Sequence, residues 1–296
     1  MDIRDQLRGI TCPMITPFAD GTVDTGAVTD LIDHLEAGSI DALFPAGTTG
    51  EFASLSPDER RLLVEHTVER ASVPVVAGAS ATDVESAVEA IDVASAAGAD
   101  AAVLTPPYFH TANAPQGNQR FFETVADRSS LPLLLYNIPA CTGREIAPET
   151  VVSLADHDRI LGLKDSSGDL EYFLTVLDRT PEEFLMLQGY DSLLVPAMRM
   201  GADGGVNALS NVLPNVYDSA LTRKHDERGR ALQKNAISPL FESCKEFGFA
   251  PATKTALSYR GVIQSDRVRP PLVAVEDDGT RRIVTSVDQA LEEFSD

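Results

Sequence analysis

Lys164 is the residue in this chain whose placement most invites chemistry. It is the only lysine in residues 1–223, and it closes an apolar run, Ile160-Leu161-Gly162-Leu163. A lysine driven into an apolar interior loses its proton more easily, and the neutral amine can then attack a ketone. The competing reading is a structural lysine paired with Asp165 or Glu51; position alone leaves both open. Gly47-Thr48-Thr49-Gly50 offers two hydroxyls and several backbone N–H groups in a tight turn. Such a turn can cradle a small carboxylate, or can simply be a loop with a threonine cap. Tyr136 ends another apolar run and can carry a proton or cap the core. Gly189-Tyr190-Asp191-Ser192 and Gly205-Val206-Asn207 follow two further runs. His34, His66, His110, His157 and His225 are scattered, as are Cys12, Cys141 and Cys244, so no metal-ligand spacing and no disulfide framework is expected.

The elements that must position these residues alternate along the chain. Short runs rich in Val, Ile and Leu predict buried parallel strands at 9–16, 41–45, 73–77, 101–104, 131–136, 160–164, 184–188 and 204–207. Helical spacing begins near Asp24, Ser56, Thr82, Pro115, Ala147, Asp169, Asp191 and Leu213. Ser56-Pro57-Asp58-Glu59 has a cap, a proline in the first turn and acids at the positive helix end. Eight strand-then-helix units predict an α/β fold, a (β/α)8 TIM barrel over residues 1–223. Residues 224–296 are expected to form a C-terminal helical extension of the same domain, with helices over 230–247 and 251–263. An open doubly wound sheet is the competitor, but Thr16-Pro17-Phe18 is not its Gly-rich first turn. In a barrel, groups at the C-terminal strand ends share one face, which is where Lys164, Tyr136 and the threonine turn fall.

Forty-five acidic against 24 basic residues give a net charge of −21, spread along the chain. That surface repels nucleic acid and anionic membrane, so neither is an expected partner. No apolar run is long enough to span a bilayer, and the first residues lack the apolar stretch of a secretory signal, so a cytoplasmic address is expected. The acid-rich, lysine-poor composition is similar to that of cytoplasmic proteins from salt-accumulating microbes.

Four segments occur together in order and spacing: Gly47-Thr48-Thr49-Gly50-Glu51, Tyr136-Asn137-Ile138-Pro139, Gly162-Leu163-Lys164-Asp165 and Gly201-Ala202-Asp203-Gly204-Gly205. With them the chain resembles the N-acetylneuraminate lyase and dihydrodipicolinate synthase superfamily over about residues 8–265. The resemblance implies a class I Schiff-base enzyme acting on a small keto acid, with no metal or cofactor. It implies Lys164 as the Schiff-base lysine, Tyr136 as the proton-carrying phenol, and Thr48 and Thr49 at the pyruvate carboxylate. It also implies Tyr108 as a residue lent to a neighbouring subunit, hence a homotetramer, and places Val206 and Gly189 beside the substrate.

Three departures bear on the substrate. Cys141 stands where dihydrodipicolinate synthases carry an arginine for the second substrate's carboxylate, and a thiol cannot do that job. Arg144 is the nearest replacement. Asp191-Ser192 and Ser210-Asn211-Val212-Leu213-Pro214 are similar to archaeal 2-keto-3-deoxygluconate aldolases. The expectation is therefore an aldolase releasing pyruvate from a 2-keto-3-deoxy sugar acid or its 6-phosphate, with Asp191 and Ser192 holding hydroxyls. The alternatives are 4-hydroxy-tetrahydrodipicolinate synthase, a sugar-acid dehydratase and, against the presence of Lys164 and Tyr136, a barrel that binds keto acids without turnover.

Overall fold

The computed structural model describes residues 2–295. Eight parallel strands form the sheet: β1 (Ile10–Pro13), β2 (Ala42–Phe44), β3 (Val76–Gly78), β4 (Ala101–Leu104), β5 (Leu133–Asn137), β6 (Ile160–Asp165), β7 (Leu185–Gln188) and β8 (Gly204–Val206). Their order is β2-β1-β8-β7-β6-β5-β4-β3. A parallel bridge between Leu43 and Val75, with the Leu43 N–H donating to Pro74 O at 2.9 Å, joins β2 to β3 and closes the barrel. Each strand lies within the apolar run that predicts it or passes its end by one residue. Pro74 falls in the run 73–77 and has no N–H to give a ladder, and the regular strand begins beyond it, at Val76.

The helices start where the capping residues require. Asp24, Asp83 and Asp169 each accept a backbone N–H of the first turn, and Ser56 and Glu59 form a reciprocal capping box. The stretch after Asp191 opens with a 3-10 turn, Asp191–Leu193, before the helix Leu194–Arg199. An Asp20-Gly21 turn with positive φ at both residues closes a two-stranded hairpin, Phe18–Ala19 with Thr22–Val23, that the apolar pattern does not announce.

Beyond Arg223 the expected helix over 230–247 is a run from Glu227 to Phe247 interrupted by a π-helical segment, Leu232–Ile237. Pro239 accounts for the interruption: it has no N–H for the carbonyl of Asn235, four residues back, and its ring crowds it. The next helix is Phe249–Tyr259. A last helix, Asp277–Ser295, lies within the expected helical extension but beyond the two helices read there; it buries Ile283, Val287 and Ala290, one stripe at helical spacing. These side chains belong to the same buried cluster as the outward faces of the barrel strands. No helix among the described residues is long and apolar enough to cross a membrane.

One ion pair ties the barrel mouth to the helices that follow it. Glu51, in left-handed backbone (φ 56°) just after the threonine turn, pairs with Lys254 of the helix Phe249–Tyr259, and both side chains are fully buried. Lys254 also donates to Arg267 O at 2.8 Å, lies 4.1 Å from the Phe18 ring centre, and the Arg269 N–H donates to the other Glu51 oxygen at 2.9 Å. Removing one partner of such a pair strands a buried charge. Lys254→Met should therefore destabilise the protein by about 3–5 kcal/mol in denaturant unfolding, and adding Glu51→Leu should recover most of the loss. An unchanged midpoint for the single variant would show that the pair does not hold the loop.

Candidate active site

The aim of Lys164 rests on one irregularity. Along β6, Ile160 and Leu163 belong to the outer layer between strands and helices, while Leu161 belongs to the cluster inside the barrel. Strict alternation from Ile160 would send Lys164 outward with it. The register shifts between Leu133, opposite Ile160, and Leu134, opposite Gly162, so β6 carries one extra residue. The shift turns Lys164 inward and sets it directly opposite Tyr136 on β5. The Lys164 amine lies 3.9 Å from the centre of the Tyr136 ring and 5.1 Å from that of Phe44.

Lys164 is 4% exposed, and burial lowers its pKa from the usual 10.5 to about 7. Asp191, Cys141 and Cys12 pull the other way and do not cancel this. The structural alternative fails on geometry, because both proposed partners are engaged elsewhere. Glu51 is held by Lys254. Asp165 accepts from Asn137 Nδ2 at 2.7 Å and from the Ser167 hydroxyl at 2.9 Å, and burial raises its carboxyl to about 6.

A cavity of about 470 Å³ opens above the amine at the C-terminal ends of the strands. Thr48, Thr49, Tyr136, Ser166 and Asp191 line it together with Lys164. The threonine turn is fixed by the Glu51 N–H donating to Thr48 O at 3.1 Å and the Phe52 N–H to Gly47 O at 3.3 Å. Burial pushes the Tyr136 phenol well above its ordinary range, while hydrogen bonding with the hydroxyls of Thr48 and Ser166 works against that shift. Tyr136 is thus a neutral phenol at pH 7, suited to passing a proton along a hydroxyl chain. Gly189 leaves room for the lysine: a methyl group there would sit 2.2 Å from Ser166 Oγ and 3.0 Å from Lys164 Cε.

The structure does not bring every expected residue to this cavity. Gly189, Asp191 and Val206 line it, whereas Ser192 and Tyr108 do not. Ser192 lies in the 3-10 turn beside the mouth. Tyr108 packs edge-on against Phe52, ring centres 6.3 Å apart, next to Phe109, which is 89% exposed. Asp191 is buried and occupied: the Tyr217 hydroxyl donates to it at 2.5 Å and the Leu209 N–H at 3.0 Å. Arg144 is turned away, donating to Ala112 O at 3.0 Å. Ser166, Tyr190 and Lys245 also line the cavity; Tyr190 was read only as part of the segment 189–192, and Ser166 and Lys245 were given no role from sequence. Ser166 directly follows the Lys164-Asp165 strand end, which was a usable signal; Lys245 gives none, since it sits on a helix more than 80 positions later. Among the described residues no cluster of His, Cys, Asp and Glu could hold a metal ion.

The Dihydrodipicolinate synthetase family profile matches residues 6–290. The chain belongs to this family. It is 33% identical to the 4-hydroxy-tetrahydrodipicolinate synthase of Archaeoglobus fulgidus over 280 residues, covering 93% of this chain and 96% of the relative. It is 41% identical to the enzyme of that name from Natronomonas pharaonis over 213 residues, 71% of this chain and 72% of the relative. Among solved structures, the 4-hydroxy-tetrahydrodipicolinate synthase of Methylacidiphilum fumariolicum SolV superposes with a TM-score of 0.92 at 29% identity, covering 97% of both chains. A prophage protein of the dihydrodipicolinic acid synthase family from E. coli K12, solved in complex with pyruvate, superposes with a TM-score of 0.90 at 30% identity, covering 96% of this chain and 98% of its own.

These relatives overturn the expectation of a deoxy sugar acid aldolase, which gave way to its alternative. The cavity supplies a physical reason for the correction. The sugar acid reading needs Asp191 and Ser192 free to hold substrate hydroxyls, but Asp191 is engaged by Tyr217 and Leu209, and Ser192 lies off the cavity.

Proposed function

We propose that this protein condenses pyruvate with aspartate 4-semialdehyde, the reaction of a 4-hydroxy-tetrahydrodipicolinate synthase. The observation that carries the reading is the buried Lys164 amine, with its pKa near 7, beside the threonine turn in a chain whose curated relatives have that name.

The steps follow from what surrounds the amine. Neutral Lys164 adds to the C2 ketone of pyruvate and water leaves, giving an iminium that draws electrons from the neighbouring methyl. Thr48 and Thr49 hold the pyruvate carboxylate through hydroxyls and backbone N–H groups, which fixes the methyl relative to Tyr136. Tyr136 takes the methyl proton while its own phenolic proton moves toward Thr48. The enamine carbon then attacks the aldehyde carbon, the aldehyde oxygen becomes a hydroxyl by taking from Tyr136 the proton removed from the methyl, and Thr48 returns the phenolic proton to Tyr136. The amino group of the semialdehyde closes on the iminium carbon, the C2–N bond to Lys164 breaks, and the amine is restored. Gly189 and Val206 shape the floor around the reacting carbons.

Tyr108 belongs to the same reading as a residue acting in a neighbouring subunit of a homotetramer. What supports this is its absence from its own cavity and the exposed Phe109 beside it. Mixing Tyr108→Phe subunits with Lys164→Ala subunits should restore part of the activity that each lacks. Two inactive parents and an inactive mixture would remove Tyr108 from the shared role. The net charge of −21 supports a further element, a protein adapted to high salt in the cytoplasm.

The deciding assay offers the purified protein pyruvate with aspartate 4-semialdehyde and, separately, 2-keto-3-deoxygluconate. Condensation should exceed sugar-acid cleavage at least about tenfold in kcat/KM, about 1.4 kcal/mol of transition-state preference. Faster cleavage of the sugar acid would sink the proposal.

A further inference from the structure

The cavity is strongly divided. Its floor is polar, while its outer wall is aromatic and aliphatic: Tyr190, Phe241, Phe249 and Leu272 on one side, Ile138 and Ala140 on the other. The aromatic side is a packed stack, with ring centres 4.6 Å apart for Tyr190 and Phe241 and 5.2 Å apart for Phe241 and Phe249. Of the side chains lining the cavity, only Lys164 and Lys245 are cationic. Lys164 is consumed by the keto acid. Lys245, on the helix Ser238–Phe247, reaches the rim from outside the barrel, with its ammonium 5.7 Å from the centre of the Tyr190 ring.

Its charge is available. The principal polar neighbour of Lys245 is the Tyr190 phenol, which keeps the ammonium protonated above the ordinary lysine range, and Glu242 lies one turn back on its own helix. Among the described residues lining the cavity no other cation stands at the mouth: Cys141 is a thiol whose pKa burial raises, and Arg144 lies off the lining, donating to Ala112 O. A second substrate that enters after pyruvate must present its aldehyde to the floor and its far end to this rim.

We infer that Lys245, assisted by the Tyr190 hydroxyl, binds the carboxylate of the acceptor aldehyde and so selects acceptors that carry one. The inference rests on the condensation reading for the identity of the acceptor, and on the cavity itself for the ammonium at its rim. The ion pair forms at the rim beside the aromatic face of Tyr190, where the exposed ammonium favours acceptors that carry an anion. The aliphatic carbons of the acceptor lie along the apolar wall between the two lysines.

The test separates binding from turnover. Lys164 is first reduced with pyruvate and borohydride, which also confirms that each variant is folded, and binding is then measured by calorimetry with two four-carbon probes. Succinate semialdehyde carries a carboxylate; butanal does not. Lys245→Met should weaken succinate semialdehyde binding at least about tenfold, Lys245→Arg should stay within about threefold of the parent, and butanal should bind all three alike. In turnover, Lys245→Met should raise KM for aspartate 4-semialdehyde and leave that for pyruvate unchanged. Equal binding of succinate semialdehyde to the parent and Lys245→Met overturns the inference even if condensation is observed. If the parent fails to condense the semialdehyde while the binding difference persists, the condensation reading falls and the role of Lys245 stands.

Discussion

The barrel interior keeps one amine, that of Lys164, out of water. A lysine in solvent at pH 7 is neutral in roughly one molecule in three thousand; with its pKa near 7, about half of the Lys164 side chains are. The difference costs the folded state about 5 kcal/mol when the group is protonated, which the rest of the barrel must offset. An adjacent free carboxylate would remove the effect by stabilising the ammonium. The nearest candidates are managed accordingly: Glu51 is bound to Lys254, Asp165 points away from the cavity to Asn137 and Ser167, and Asp191 is engaged by Tyr217 and Leu209.

Local features of the fold converge on that amine. The extra residue in β6 decides which way Lys164 faces and which residue of β5 it meets. Gly189 clears the space that its last carbons occupy. The Glu51–Lys254 pair anchors the turn carrying Thr48 and Thr49 to a helix that follows the barrel, and the same group of helices supplies Phe241 and Phe249 of the aromatic wall and Lys245. The helices after the barrel therefore hold the threonine turn from behind and form one side of the mouth.

Much of this was legible in the residues, and the parts that were not have physical causes. Apolar runs such as Ala101–Leu104 mark parallel strands because both faces of those strands are covered. Caps at Asp24, Ser56 and Asp169 mark helix starts because an orphan N–H must find an acceptor. A one-residue register shift leaves no such mark; alternation from Ile160 gives the wrong face for Lys164, and its isolation among apolar residues marked it for attention while leaving a structural and a chemical reading open. Asp191-Ser192 misled toward a sugar acid because a sequence shows that a carboxylate is present but not that Tyr217 already holds it. Lys245 sits on a helix with one buried face, where a lysine ordinarily faces solvent, whereas the helix of Lys254 is buried on every face, and only the packing of the two helices separates the exposed ammonium from the buried one.

Whether burial keeps the Lys164 amine neutral is tested by the pH dependence of pyruvate trapping on it, read as the rate of adduct formation with borohydride and localised by peptide mass. The sign follows from the lowered pKa: below about 7 the amine is increasingly protonated and unreactive, and above it the amine is neutral. Trapping on the Lys164 peptide should therefore fall about tenfold per pH unit on the acid side and level off within about a unit and a half above neutrality. A rate that keeps climbing toward the ordinary lysine value of 10.5, or an adduct on any other lysine, would contradict the account.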